Sequence, residues 1–150
     1  MGLPSYNFTA TPNFNALEFY SIGKNTIKKR VKMEEINPEE KLYNLALCTV
    51  KEDGSEDYES ASKNGDMATV LQTIAYIAVF FTDNYPDRKI YFTGSDILRT
   101  RAYQLNIFSF HKLITEYFDV EGVVIQNNRI TQREPFKKGK NYQAFIFTRL

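Results

Sequence analysis

Residues 91–104, YFTGSDILRTRAYQ, hold the densest set of side chains that could do chemistry. Gly94 and Ser95 stand where a short apolar run gives way to a helical pattern, and Arg99 and Arg101 follow. A helix start exposes N–H donors that can hold a phosphate. A guanidinium can add a bidentate, charged contact. The chemistry this predicts is the binding of a phosphate-bearing small molecule, or phosphate handling by an enzyme or nucleotide-binding domain. The stretch is not a P-loop, since GSDILRTR lacks the spaced glycines and the Gly-Lys-Ser/Thr ending. Asp96 would also repel a phosphate close by. The same residues are explained without a ligand, and are expected to be chiefly architectural: Gly94 for a tight or left-handed turn, Ser95 as cap, Asp96 as an acid suited to the helix dipole. Arg99 and Arg101 are two apart, so they leave a helix on different faces.

A second set is basic. Lys28, Arg30 and Lys32 alternate with Ile27, Lys29, Val31 and Met33, which puts the three cations on one strand face. Lys137, Lys138 and Lys140 fall in a later polar stretch, and Phe19 and Tyr20 lie on the strand paired with the first set. Cations neutralise phosphates and exposed rings stack on bases, so this face is a candidate nucleic-acid surface. The plain alternative is the polar outer face of a sheet with lysines that discourage edge pairing. The formal net charge is only +1, which gives bulk attraction to nucleic acid no support. Residues 1–84 carry 8 basic and 12 acidic side chains, a balance of −4, and residues 85–150 carry 11 and 6, a balance of +5. The leading expectation is a non-enzymatic binding or interaction protein, with nucleic acid at this basic face or another protein as its partner; a phosphate-handling enzyme or nucleotide-binding domain at the Gly94-Ser95 helix start is the alternative.

The remaining residues assemble no catalytic set. His111 is the sole histidine and lies in an aromatic helical stretch; Cys48 is the sole cysteine and lies in an apolar strand. One of each cannot make a zinc site, and no HExxH is present. Ser95 lacks a nucleophile elbow. Glu52, Asp53, Glu56, Asp57 and Glu59 do not follow calcium-loop spacing and read as a solvated loop. Asp66 and Asp96 both stand at predicted helix starts, where capping explains each locally. No catalytic residue, cofactor or metal is assigned.

These residues must be positioned by elements that the patterning reveals. With 150 residues, 43% apolar, and 12 Phe and 10 Tyr, the chain can bury a core, and residues 1–150 are expected to form one domain. Residues 1–15 are turn-like, with at most a short edge strand. Residues 17–33 read as a hairpin turning at Gly23-Lys24-Asn25; Lys29 breaks the apolar alternation, which suggests an edge or a bulge. LYNLALCTV, residues 42–50, is a third strand, followed by a polar loop with room for a short strand near Tyr58. Asp66 starts an apolar helix that ends before Pro86. KIYFT, residues 89–93, is a strand. Residues 96–117 form one bent helix or two short ones. VEGVVI is a strand ending at Asn127-Asn128, residues 129–140 are a basic loop, and YQAFIFT is the final strand. The order predicts a two-layer α+β domain. Its twisted sheet is mainly antiparallel and covered on one face by two helical regions, with room for a parallel pair across the second helical region.

FYSIGKNTIKKRV, the Asn64-Gly65-Asp66 start of the apolar helix, and FTGSDILRTRAYQ together resemble an uncharacterised family of small proteins found chiefly in Bacteroidetes. The resemblance covers most of the chain. It implies a bacterial origin and draws interest to Ser21, Gly23, residues 64–66 and residues 94–101, but carries no activity. The single cysteine fits a reducing compartment. The N-terminal residues lack the basic start and apolar run of a signal peptide. The fifteen apolar residues 67–81 are short for a bilayer span. A cytoplasmic, non-membrane protein is therefore expected.

Overall fold

The computed structural model describes residues 4–12, 15–58, 64–94, 96–109 and 111–150, without the side chains of 106–109 and 111–113. Within these, β1 (Thr9–Ala10), β2 (Ala16–Ile22), β3 (Thr26–Asn37), β4 (Leu42–Val50) and β5 (Glu56–Asp57) precede helix α1 (Met67–Asn84). Then come β6 (Lys89–Phe92), α2 (Ile97–Ser109), α3 (His111–Tyr117), β7 (Phe118–Gln126), β8 (Arg129–Pro135) and β9 (Ala144–Arg149). The strands form one sheet in the order β1-β2-β3-β4-β6-β9-β7-β8, with β5 paired to β4. The fold is a two-layer α+β domain with a mixed, mostly antiparallel sheet and the helices packed against it.

The β2–β3 hairpin is built by alternation. Leu17 pairs with Val31 and Phe19 with Lys29, and all four are buried. Lys29 therefore holds a core-facing place in a strand flanked on both sides, with register shifts only farther along, between Glu35 and Asn37. It marks neither an edge nor a bulge. The turn is held from outside: Asn64 Oδ1 accepts from Asn25 N at 2.8 Å, and its amide donates to Asn25 O at 2.8 Å and to Ser21 Oγ at 2.9 Å. Gly23 allows this approach, because a Cβ there would lie 1.9 Å from the Asn64 carbonyl oxygen.

β4 and β6 are the parallel pair, and α1 is their crossover. The parallel pair thus lies across the first helix rather than the second. A parallel connection needs such a length of chain between strands. Leu71, Ile74, Ile77 and Phe81 of α1 pack on Leu17, Phe19, Leu45, Ile90 and Phe147 of the sheet. Leu42, Val123, Ala144 and Ile146 form a smaller cluster.

Residues 129–135, expected as loop, form β8. Asn127 and Asn128 both take left-handed φ, 52° and 61°, which matches the two-residue hairpin turn that asparagine tolerates. β8 is an edge strand and most of it is exposed, so it needs no apolar alternation and gives no such signal. Gly122 of β7 admits the Tyr142 ring, whose atoms lie 2.3–2.4 Å from where a Cβ would stand.

Candidate functional site

β3 occupies one edge of β4 along its length. On the other edge β6 pairs with residues 42–45 and β5 with residues 49–50, so residues 46–48 face the gap between them. A cavity of about 670 Å³ opens at that gap, within the range of small-molecule sites. It lies beside the C-terminal end of β6, where parallel strands of α/β sheets commonly present ligand crevices. Four pieces of chain meet there: Lys29 of β3, the Asp57-Tyr58 end of β5, residues 64–68 leading into α1, and Thr93-Gly94 with Arg99 and Tyr103 of α2.

Lys29 is 6% exposed. Its ammonium donates to Thr49 Oγ1 at 2.8 Å. Burial pushes it below the usual lysine range, against the opposing pull of the Asp66 carboxylate. Arg99 reaches the cavity from α2; its Nη1 lies 3.5 Å from the Tyr58 carbonyl and its Nε 3.8 Å from Asp96. Asp57 and Asp66 also line the cavity, so the four formal charges balance. The carboxylates have other duties: Asp66 Oδ2 accepts from Tyr6 Oη at 2.6 Å and Ser21 Oγ at 2.5 Å, and Asp57 lies 3.9 Å from Lys51 Nζ.

Asp66 occupies the N-cap position of α1 but its side chain makes no cap bond. The reason is the pull of Tyr6 and Ser21 toward β2. The first turn of α1 also contains no acid. Met67 and Ala68 at the helix start thus line the cavity without a side-chain cap bond from Asp66, and an uncapped helix start favours an anion. At α2 the situation is reversed. Asp96 Oδ1 accepts from Arg99 N at 2.8 Å, so an acid already sits on that helix start. Gly94 is not in the left-handed region. Its glycine is needed because a Cβ would stand 2.6 Å from Thr100 N, and its own N–H donates to Thr100 Oγ1 at 3.1 Å. Ser95 lies outside the described residues.

Arg101 does not join the cavity. Its Nη1 donates to Tyr142 O at 3.0 Å, and Gln104 beside it bonds Lys140 O and Tyr142 N, so this face of α2 clasps the chain before β9. The hairpin cations are paired. Arg30 lies 2.6 Å from Glu18 and 2.7 Å from Glu56, Lys28 lies 3.5 Å from Glu18, and Lys32 lies 3.1 Å from Glu56. Of the two rings considered for stacking, Tyr20 is exposed and Phe19 is core. Lys137 and Lys140 meet the buried Glu134 at 3.9 and 2.9 Å, and Lys138 is exposed. In the acidic stretch, Asp53 binds Ser55 and Glu56 and Asp57 form β5, while Glu59 lies outside the described residues. So does the His111 side chain. Cys48 is buried, and burial pushes its thiol up. Among the described residues no cluster of three or more potential metal ligands occurs, and no helix is long and apolar enough to cross a membrane.

Lys29 was not among the candidate site residues of the sequence, and Asp66 was read there as a helix cap. One signal was present: a lysine inside an apolar alternation is rarely buried without a purpose or a partner. The three stretches quoted above meet in space. Ser21 and Gly23 hold Asn64 and Asp66, and residues 64–66 share the cavity wall with Gly94 and Arg99.

The fold and cavity define an α+β domain with a cleft beside the end of its parallel strands. The chain belongs to a family of unknown function (DUF6934), whose model matches residues 2–150. No curated protein and no solved structure matches it.

Proposed function

We propose that this domain binds a phosphate-bearing small molecule in the cavity between β4, β6 and the start of α1. The observation that carries the reading is the meeting of Lys29 and Arg99 beneath a helix start without a side-chain cap. Two cations and oriented N–H groups in a half-enclosed, partly apolar space interact with an anion far more strongly than they would in open water. The reading moves the anion from the Gly94-Ser95 turn toward Met67 and Ala68, because Asp96 caps the α2 start whereas the Asp66 carboxylate is engaged by Tyr6 and Ser21 instead of capping α1.

The test is a panel of inorganic phosphate, sugar phosphates and nucleotides read by thermal unfolding. A ligand at a hundred times its Kd stabilises the native state by about 2.7 kcal/mol. That corresponds to a rise of about 5–10 °C in Tm for a chain of this size. Arg99→Ala and Lys29→Met should each reduce the rise. No stabilisation of the wild type by any member at millimolar concentration would overturn the reading.

Nucleic-acid binding through Lys28, Arg30 and Lys32 is the second reading, and exposed Tyr20, register partner of Lys28, is what favours it. Their pairing with Glu18 and Glu56 weakens it. Anisotropy with single- and double-stranded DNA and RNA tests it, with binding that falls as salt rises as the expected sign. We also propose a bacterial, Bacteroidetes-type origin and a cytoplasmic location, on the sequence resemblance and the single cysteine. Recovery in a periplasmic fraction of the native host would refute the location.

A further inference from the structure

The floor of the cavity is apolar where its rim is charged. Leu45, Leu71, Phe92 and Tyr103 line it, and the same four side chains line a second hollow of about 50 Å³ deeper in the domain. Phe92 and Tyr103 stack there with ring centroids 5.0 Å apart. The hollow lies between α1, α3 and the sheet, and its described lining is hydrocarbon and aromatic except for the Tyr103 hydroxyl. Burial pushes that hydroxyl above its usual range, so it stays neutral. An apolar void of this kind holds no water well and accepts apolar groups. The cations stand at one end of this path and the hollow at the other.

We propose that the ligand is an amphiphilic anion, a phosphate monoester of an apolar alcohol, with its headgroup at Lys29 and Arg99 and its body lying over Leu45 and Leu71 toward the inner hollow. This rests on the phosphate reading above and narrows it. A nucleotide would set a polar ribose against the apolar floor and leave its hydroxyls without partners. An alkyl or aryl body instead exchanges water for hydrocarbon, at about a fourfold gain in affinity for each methylene buried.

The test is calorimetric titration of the full chain with inorganic phosphate and with n-butyl, n-hexyl and n-octyl phosphate, with n-hexanol as the headless control. Affinity should rise by about fourfold per methylene until the floor is covered. Arg99→Ala should weaken every phosphate. Ala75→Leu, which adds bulk to the inner hollow, should cut the gain from the longer chains and leave inorganic phosphate unchanged; Ala78→Val is the milder variant should that substitution impair folding. Equal affinity for inorganic phosphate and all three esters, still dependent on Arg99, would overturn the amphiphile and leave the phosphate site standing. Hexanol binding as tightly as hexyl phosphate would overturn it in favour of an apolar cavity alone. Failure of every phosphate to bind would overturn both readings.

Discussion

Replacing Gly23 by alanine tests how the hairpin sets the position of the cavity wall. A Cβ at Gly23 would stand 1.9 Å from the Asn64 carbonyl oxygen, and 3.0 Å from both its carbonyl carbon and its Cγ. Backbone strain is not at issue, because Gly23 does not take a left-handed φ. Relief requires the two segments to part by about 1 Å or more, a shift that close packing resists. Asn64 resists it in particular, being 4% exposed and tied by three side-chain bonds of 2.8–2.9 Å to Ser21 and Asn25. Each such bond is worth about 0.5–1.5 kcal/mol net. Losing or stretching most of them sets the cost at about 2–4 kcal/mol, read from urea melts. Gly54→Ala is the control, with φ +85° and nothing within 4 Å of its Cβ; it should cost about 1–2 kcal/mol from conformation alone. Because Asn64 leads directly into Gly65 and Asp66, Gly23→Ala should also weaken phosphate binding. A loss below about 0.5 kcal/mol would refute the claim that this contact is tight.

Three further outcomes follow from the packing. Tyr142 is fully buried and its hydroxyl donates to Glu134 at 2.7 Å while accepting from Lys137 N at 3.1 Å, so Tyr142→Phe should cost about 1–3 kcal/mol in urea melts; an unchanged midpoint would show the pair to be replaceable. Hydrogen bonds from Arg30, then Lys32, push the Glu56 carboxyl down to about 2 from an ordinary 4.5. A depressed folded-state value stabilises above the unfolded value and is lost as pH falls through the folded one. The stability gap between wild type and Glu56→Gln should therefore be full above about pH 4.5 and close toward pH 2, and a gap constant over that window would contradict the ion pairs. The Cys48 thiol is buried and raised, so a disulfide-exchange reagent should modify it only as fast as the domain opens; rapid labelling in native buffer would show that the cavity admits the reagent to sulfur.

Strands with local alternation were legible. β2 and β3 carry period-two patterns and a Gly-Lys-Asn turn, β4 is a short apolar run, and α1 has both an apolar run and a proline stop. β8 was not legible, because an exposed edge strand has no buried face to impose a pattern. The division of this region into α2 and α3 was open in the sequence, since capping residues and apolar spacing allowed either one bent helix or two short ones. For the candidate site, Gly94 and Arg99 were visible as a local motif. Arg101 looked equivalent to Arg99, and only the tertiary path of the chain before β9 shows that it serves Tyr142. Asp66 was legible as a helix start, but not as the acceptor for Tyr6 and Ser21, since those partners lie 60 and 45 residues away. Lys29 was visible only as an anomaly, and its meaning required the cavity.

The place of β9 between β6 and β7 bears on how the chain reaches this state. Until residues 144–149 are in place, the sheet exists as two pieces, β1 to β6 and β7 with β8. The first can assemble from hairpins and one crossover. The joining pairs, such as Ile90 with Phe147, span more than fifty residues, and contacts that distant form slowly. During synthesis β6 and β7 therefore each present a bare apolar edge, the kind that pairs with another chain when it waits. Products cut short before Ala144 should go to aggregates rather than to a smaller soluble domain.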